Sequence, residues 1–227
     1  MRVGIAVLIA MVAGSIAFAK ENKTGQRLDD AATVISEIMD TPDKGIPQDL
    51  LDKAQCIIIV PGLKKGAFIL GGKYGKGVVS CRKSGGAGWT APASMRVEGG
   101  SVGFQIGGAE SDVVMLLMNQ RGMQKLMQSK FTLGGEGEVA AGPVGRNATA
   151  QTDALMHAEM LSWSRSRGIF AGISLQGATL RQDLDDNKEL YGKAYETKDI
   201  LNGNVPVPAA ASKLISLLGK YSARKTG

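Results

Sequence analysis

One histidine and two cysteines in 227 residues leave too few soft ligands for a zinc site and no imidazole beside most would-be nucleophiles. A net charge of +6, from 27 lysines and arginines against 21 aspartates and glutamates, is too slight for a nucleic-acid footprint but favours anionic surfaces. The length suits one domain with a proper core, and no segment after the N-terminal run approaches the ~20 apolar residues a membrane helix needs.

The chain opens MRVGIAVLIAMVAGSIAFA, where Arg2 precedes an apolar run and Ala17-Phe18-Ala19 supplies a small-x-small cleavage pattern. The expectation is a signal peptide over residues 1–19, cleaved after Ala19, with export to a periplasmic or extracellular compartment. A retained anchor is the alternative, disfavoured by the glycines and serine that interrupt the run. Losing Arg2 leaves the mature chain a net charge of +5, and export argues against DNA or RNA as the working partner. In an oxidising compartment Cys56 and Cys81 either pair, if their strands are neighbours, or stay as two buried thiols in separate strands.

Apolar residues at Leu28, Ala31, Ala32, Ile35, Ile38 and Met39 predict an amphipathic helix over 24–40. Thr41-Pro42 stops it, and Ile46-Pro47 opens a second helix to about Ala54. The period then changes. Cys56 to Val60 is a β-branched run ended by Pro61-Gly62, and short strands are predicted over 66–72, 77–82, 88–92, 95–98 and 101–107, parted by glycine-rich turns. Residues 112–119 read as a further strand, with a helix as the alternative, and 121–129 as a helix. Strands follow over 131–133, 136–141, 154–166, 168–175 and 178–180, then short helices over 183–191 and 196–201. Residues 205–211 read as a Pro/Ala linker and 212–221 as a small amphipathic helix, so that 204–227 forms a tail to the domain.

Glycine makes up 31 of 227 residues, about twice the usual ~7 %, and lies between apolar residues of strands, where it marks bends and close backbone approach. The expected fold is therefore α+β: a strongly twisted, barrel-like antiparallel β-sheet, glycine-rich, with short helices packed around it.

Chemistry finds little footing. Gly75-Lys76 has Leu70 where a Walker loop needs glycine and Gly77 where it needs serine or threonine. Gly135-Glu136-Gly137-Glu138-Val139-Ala140 matches a dinucleotide fingerprint by letter, but Gly142-Pro143 forbids the helix that would hold a pyrophosphate. Asp183, Asp185 and Asn187 occupy the first positions of a calcium loop, yet Lys188 and Ala194 stand where its glycine and glutamate belong, and an acid-rich helix N-terminus explains the same letters. His157 has no nucleophile beside it in sequence. The reading is no catalysis, no cofactor, no nucleotide and no metal.

Phe131-Thr132-Leu133-Gly134, Ala140-Ala141-Gly142-Pro143-Val144-Gly145-Arg146, Thr152-Asp153-Ala154 and Ser162-Trp163-Ser164-Arg165-Ser166-Arg167-Gly168 resemble the signature blocks of the SYLF domain family. So do Gly88-Trp89-Thr90-Ala91-Pro92 and the Asp183, Asn187, Tyr191, Gly192 series. The resemblance implies a SYLF-like lipid-binding domain over 20–203, without catalytic activity, in an exported bacterial type. The resemblance implies that relatives bind phosphoinositides, and some actin; neither is the expected partner of an exported chain, in which no SH3 or FYVE partner domain is expected.

A peripheral lipid binder needs cations for phosphates and apolar groups for the interface. The candidates are Lys64, Lys65, Lys73, Lys76, Arg82 and Lys83, clustered in sequence as one basic edge, with Arg146, Arg165 and Arg167 from the signature blocks. Each has a structural alternative, a solvated rim for the lysines and a carbonyl-bonded buried arginine for the others. The expected partner is an anionic lipid or membrane surface, with an envelope protein as the alternative.

Overall fold

The computed structural model describes residues 22–41, 45–67, 71–85, 88–101, 107–136, 138–145 and 158–222. The proposed signal peptide, Arg146 and His157 lie outside them. Helix α1 (Lys23–Met39) is capped by Asn22, whose side chain accepts from the Gly25 amide, and buries Leu28, Ala31, Ala32, Ile35 and Ile38 along one face. Helix α2 (Gln48–Lys53) leads into β1 (Cys56–Ala67), β2 (Gly71–Cys81), β3 (Ala93–Ser101) and β4 (Gly107–Leu117). Then come α3 (Gln120–Leu126), β5 (Lys130–Thr132), β6 (Val139–Ala141), β7 (Met160–Ser166), β8 (Ile169–Gly172) and β9 (Thr179–Gln182). Helix α4 (Leu184–Tyr191), a single turn α5 (Thr197–Asp199) and α6 (Ser212–Tyr221) complete the order.

The strands form one strongly curled, open sheet in the order β5-β9-β3-β2-β1-β4-β7-β6, with β8 also on β7. Pairing is antiparallel except for β6 on β7, which is parallel. The fold is thus α+β with the expected strong curl and packed helices, as an open half-barrel whose sheet is mixed where a fully antiparallel one was expected. On its inner face Ile58, Val60, Val79, Met95, Val97, Met115 and Leu180 meet Leu126, Phe131, Ile200 and Leu201. On its outer face Ile57, Ile59, Val78, Val114 and Leu116 pack under α1 and under Leu214 and Leu218 of α6. Both faces of β1 are buried over Cys56–Val60, which is why that half reads as an unbroken β-branched run.

Several expected boundaries move. Pro61-Gly62 does not end β1 but forms a bulge within it: Gly62 takes φ +60°, and its amide donates to Asp112 Oδ1 at 3.0 Å. The glycine-rich turn expected between the strands at 66–72 and 77–82 is instead part of β2, a continuous 11-residue strand. A Cβ on Gly77 would stand 2.4 Å from the Ile59 carbonyl oxygen, so the glycine permits β1 to curl over β2. Among the described residues, 88–92 contribute only one bridge, Trp89 to Arg82, and Trp89 is buried in the outer-face core. The expected linker at 205–211 lies on the body, with Val205 and Ala211 buried in the two cores. Cys56 and Cys81 are register partners on β1 and β2 and form a disulfide.

Candidate functional site

The register decides which of the nine candidate cations can share a surface. Beyond the bulge, β1 alternates Leu63 inward, Lys64 outward and Lys65 inward, while β2 sets Lys73 inward and Tyr74 and Lys76 outward. Lys64 pairs with Tyr74 on one side and Glu110 on the other, and Lys65 stands directly opposite Lys73. These positions end the β1–β2 hairpin. The β7–β8 hairpin turns at the same end: Ser166 Oγ donates to the Glu110 carbonyl at 3.2 Å, and Glu110 is the register partner of Lys64. Its two-residue turn is Arg167 (φ +49°) and Gly168 (φ +78°), the left-handed pair that a tight hairpin requires. Arg167 is exposed there, beside Ile169, which is 72 % exposed. Tyr74 is 47 % exposed next to Lys64. One lip of the half-barrel therefore presents Lys64, Lys65, Lys73 and Arg167 with an aromatic and an aliphatic side chain.

The remaining candidates are elsewhere or already engaged. Lys76 meets Asp183 at 2.9 Å and Asp186 at 2.8 Å, and Arg27 of α1 also pairs with Asp186. Burial opposes the Lys76 charge, but hydrogen bonds to Asp186 and Asp183 outweigh it and hold the ammonium above the ordinary lysine range. Asp183 is held below the carboxylate range for the converse reason, with burial opposing and Lys76 prevailing. Asp183 also caps α4 by accepting from the Asp186 amide, while the buried Asn187 side chain accepts from the Ser94 amide and donates to the Tyr195 carbonyl. The acidic run that resembles a calcium loop is thus a clamp joining α1, β2, β3 and α4, and its charges are answered by lysine and arginine.

Arg82 is not on a basic edge. It is 8 % exposed, donates to the carbonyls of Leu51 and Ser222, and stacks 4.2 Å from the Trp89 ring, tying α2 to the end of α6. Arg165 is ion-paired with Asp112 at 2.7 Å and with Glu37 of α1. These carboxylates keep its guanidinium above its ordinary range against the effect of burial. Lys83 is exposed, but it follows the far end of β2. The expected single edge of Lys64, Lys65, Lys73, Lys76, Arg82 and Lys83 is therefore divided, because alternation along a strand sends neighbouring cations to opposite faces and strand length separates the rest.

A groove of about 380 Å³ adjoining the lip between α1 and β4 is lined by Asp30, Glu110 and Asp112, with Arg165 already paired to Asp112. Its acid excess turns an anion away toward the hairpin tips. No cluster of three or more histidine, cysteine or acidic side chains able to hold a metal occurs among the described residues.

A curled sheet that gathers cations and exposed apolar groups at its hairpin tips has the architecture of a binding module. The family model described as Ysc84, Las17-binding protein actin regulator, matches residues 98–221, more than half of the chain. The chain is similar to SH3 domain-containing YSC84-like protein 1 of Homo sapiens, 35 % identical over 182 residues, 80 % of this chain and 53 % of that protein. It is 38 % identical over 176 residues to SH3 domain-containing protein PJ696.02 of Schizosaccharomyces pombe, covering 76 % of this chain and 40 % of that one. Over 179 residues it is 34 % identical to Protein YSC84 of Saccharomyces cerevisiae, 78 % of this chain and 38 % of that one. The chain belongs to the Ysc84, or SYLF, domain family, and it spans about half or less of the length of these relatives. The family description names binding and regulation, and no reaction.

Proposed function

We propose that this chain is an exported, non-catalytic protein that binds anionic phospholipid reversibly, cleaved after Ala19 and working in the periplasm or outside the cell. The observation that carries the reading is the lip itself: Lys64, Lys65, Lys73 and Arg167 at one end of the sheet, beside exposed Tyr74 and Ile169. Cations meet headgroup phosphates, worth about 1 kcal/mol each near an anionic surface, and the ring and aliphatic chain enter the interface. Apolar residues at 3–18 support the export. Co-sedimentation with vesicles tests it: binding to anionic vesicles that falls with added salt and is absent on phosphatidylcholine supports it, and equal solubility with both vesicles refutes it.

The family description favours a second reading, a protein-interaction module of the envelope, since relatives carry a Las17-binding and actin-regulator name. It predicts salt-insensitive capture of one envelope protein by a chain that ignores vesicles.

A further inference from the structure

The outer face of the sheet is covered unevenly. Helix α1 lies over β1 and β2, while the strands toward the β5 edge carry a row of cations in the open. Lys76 on β2 stands opposite Arg96 on β3, Arg96 opposite Arg181 on β9, and Arg181 opposite Lys130 on β5. Val97, Leu180 and Phe131, next to them in sequence, belong to the inner core, so the row faces outward. Like charges directly opposite destabilise a sheet, and here the fault is repeated three times. Acids answer only part of it. Asp183 and Asp186 take Lys76, and Glu98 reaches Arg181 at 3.2 Å but stands 3.8 Å from Arg96, whose Nε has no hydrogen bond. Among the described residues Lys130 has no ion pair or hydrogen bond.

The next row on the same face runs Tyr74, Glu98, Thr179 and Thr132. Tyr74 is 47 % exposed, and among the described residues its hydroxyl and those of both threonines have no hydrogen bond. One row further, glycine occupies four strands, Gly108, Gly66, Gly72 and Gly100, all exposed. A Cβ on Gly66 or Gly100 would meet nothing within 4 Å, one on Gly72 or Gly108 would meet only a carbonyl oxygen at 4.0 Å, and none of the four has a positive φ. Glycine within a strand weakens it, so neither packing nor backbone conformation accounts for this row. What it does is leave the Tyr74 ring beside open backbone.

We infer that this strip, with Tyr74, Arg96, Arg181 and Lys130 beside the bare backbone of Gly72 and Gly100, binds an acidic polysaccharide, a chain of carboxylated sugar units. The C–H face of a sugar ring stacks on an accessible aromatic ring, guanidinium and ammonium groups meet its carboxylates, and a floor without side chains lets a bulky ring settle next to Tyr74. An acidic peptide fits less well. The adjacent sheet edge is closed to strand addition, because Glu136 accepts from the Thr132 amide at 2.7 Å and donates its own amide to the Thr132 carbonyl at 3.1 Å. Of the exposed large apolar side chains among the described residues only Tyr74 lies here, so the strip offers an acyl chain little to pack against. The site goes beyond the lipid reading, and Tyr74 alone belongs to both surfaces.

The test measures dissociation constants for oligogalacturonate and for oligoglutamate of equal charge at one ionic strength. Wild type should bind the sugar chain roughly tenfold more tightly. Arg181→Gln/Lys130→Gln should weaken both ligands. Gly72→Val/Gly100→Val should lose the preference for the sugar chain with an equal or higher melting temperature, since the new side chains enter open space and β-branched residues suit strands. Tyr74→Ala, at an exposed position, should lose the same preference with the fold intact. Equal affinity of wild type for the two ligands would reduce the strip to a general polyanion surface and overturn the inference. So would a preference that survives in Tyr74→Ala, or no binding of oligogalacturonate. Phosphatidylserine vesicles separate the two readings: a wild type that binds the sugar chain but ignores vesicles keeps the strip and refutes the lipid reading, and the opposite result does the reverse.

Discussion

Substituting Gly77 with alanine should expose how the sheet curls. The added Cβ would lie 2.4 Å from the Ile59 carbonyl oxygen, 2.7 Å from Val60 Cγ2 and 3.0 Å from Val60 Cα. The nearest atom is backbone of β1, a strand hydrogen-bonded on both sides, to β2 and β4, so little can move aside. Overpacking costs about 1–3 kcal/mol, and a backbone obstacle puts this site near ~3 kcal/mol. Gly66→Ala is the matched control: nothing lies within 4 Å of its new Cβ, and loss of glycine's backbone freedom in the unfolded chain should stabilise it by about 0.5–1 kcal/mol. Urea unfolding at constant m measures both. For a domain of this size the shifts correspond to a fall of roughly 6–12 °C for Gly77→Ala and a rise of a few degrees for Gly66→Ala. Should Gly77→Ala unfold within 0.5 kcal/mol of wild type, on the order of ordinary surface substitutions, the close-approach account of the curl is wrong.

Arg82→Gln should cost roughly 2–4 kcal/mol in urea unfolding, since it strands buried carbonyls and loses the Trp89 stack, yet leave vesicle binding by the folded protein unchanged. Lys76→Met should cost roughly 2 kcal/mol, below the 3–5 of a fully buried pair because Arg27 and Arg96 remain near the two carboxylates. The same clamp sets an acid limit. The folded pKa of Asp183 is lowered, so its contribution is present above the unfolded value and is lost as pH falls through the folded one; melting followed below about pH 4 should show a loss that Asp183→Asn abolishes. Lys65, with its ammonium held low, should be acylated faster than exposed Lys83 at about pH 9, as read by peptide mass spectrometry.

Local signals were legible in the sequence wherever one element satisfied itself. The apolar stripe and terminal Pro42 bracket α1, and Asp183 with Gly192, at φ +72°, brackets α4. The β-branched run at Cys56–Val60 announces a strand buried on both faces. Its continuation past Pro61-Gly62 was not legible, because a bulge and a strand end use the same residues, and only Asp112, 50 positions away, accepts the freed amide. The candidate site failed in the same way. Lys64, Lys65, Lys73 and Lys76 are neighbours in sequence, but alternation sorts them by face, and the partners that neutralise Lys76 and Arg165 are 110 and 53 residues away. Tyr74 and Ile169 were missed because exposure is a property of the assembled sheet.

The account stands most directly on which end of the molecule meets the bilayer. Its own tryptophans, Trp89 and Trp163, are buried, so a tryptophan introduced at Tyr74, Ile169 or the exposed Leu184 on α4 reports its own surroundings. With anionic vesicles containing brominated lipid, quenching at positions 74 and 169 and none at 184 is the predicted result. Quenching at 184 equal to that at 74 and 169, or none at any of the three while the protein sediments with vesicles, would contradict a membrane-facing lip.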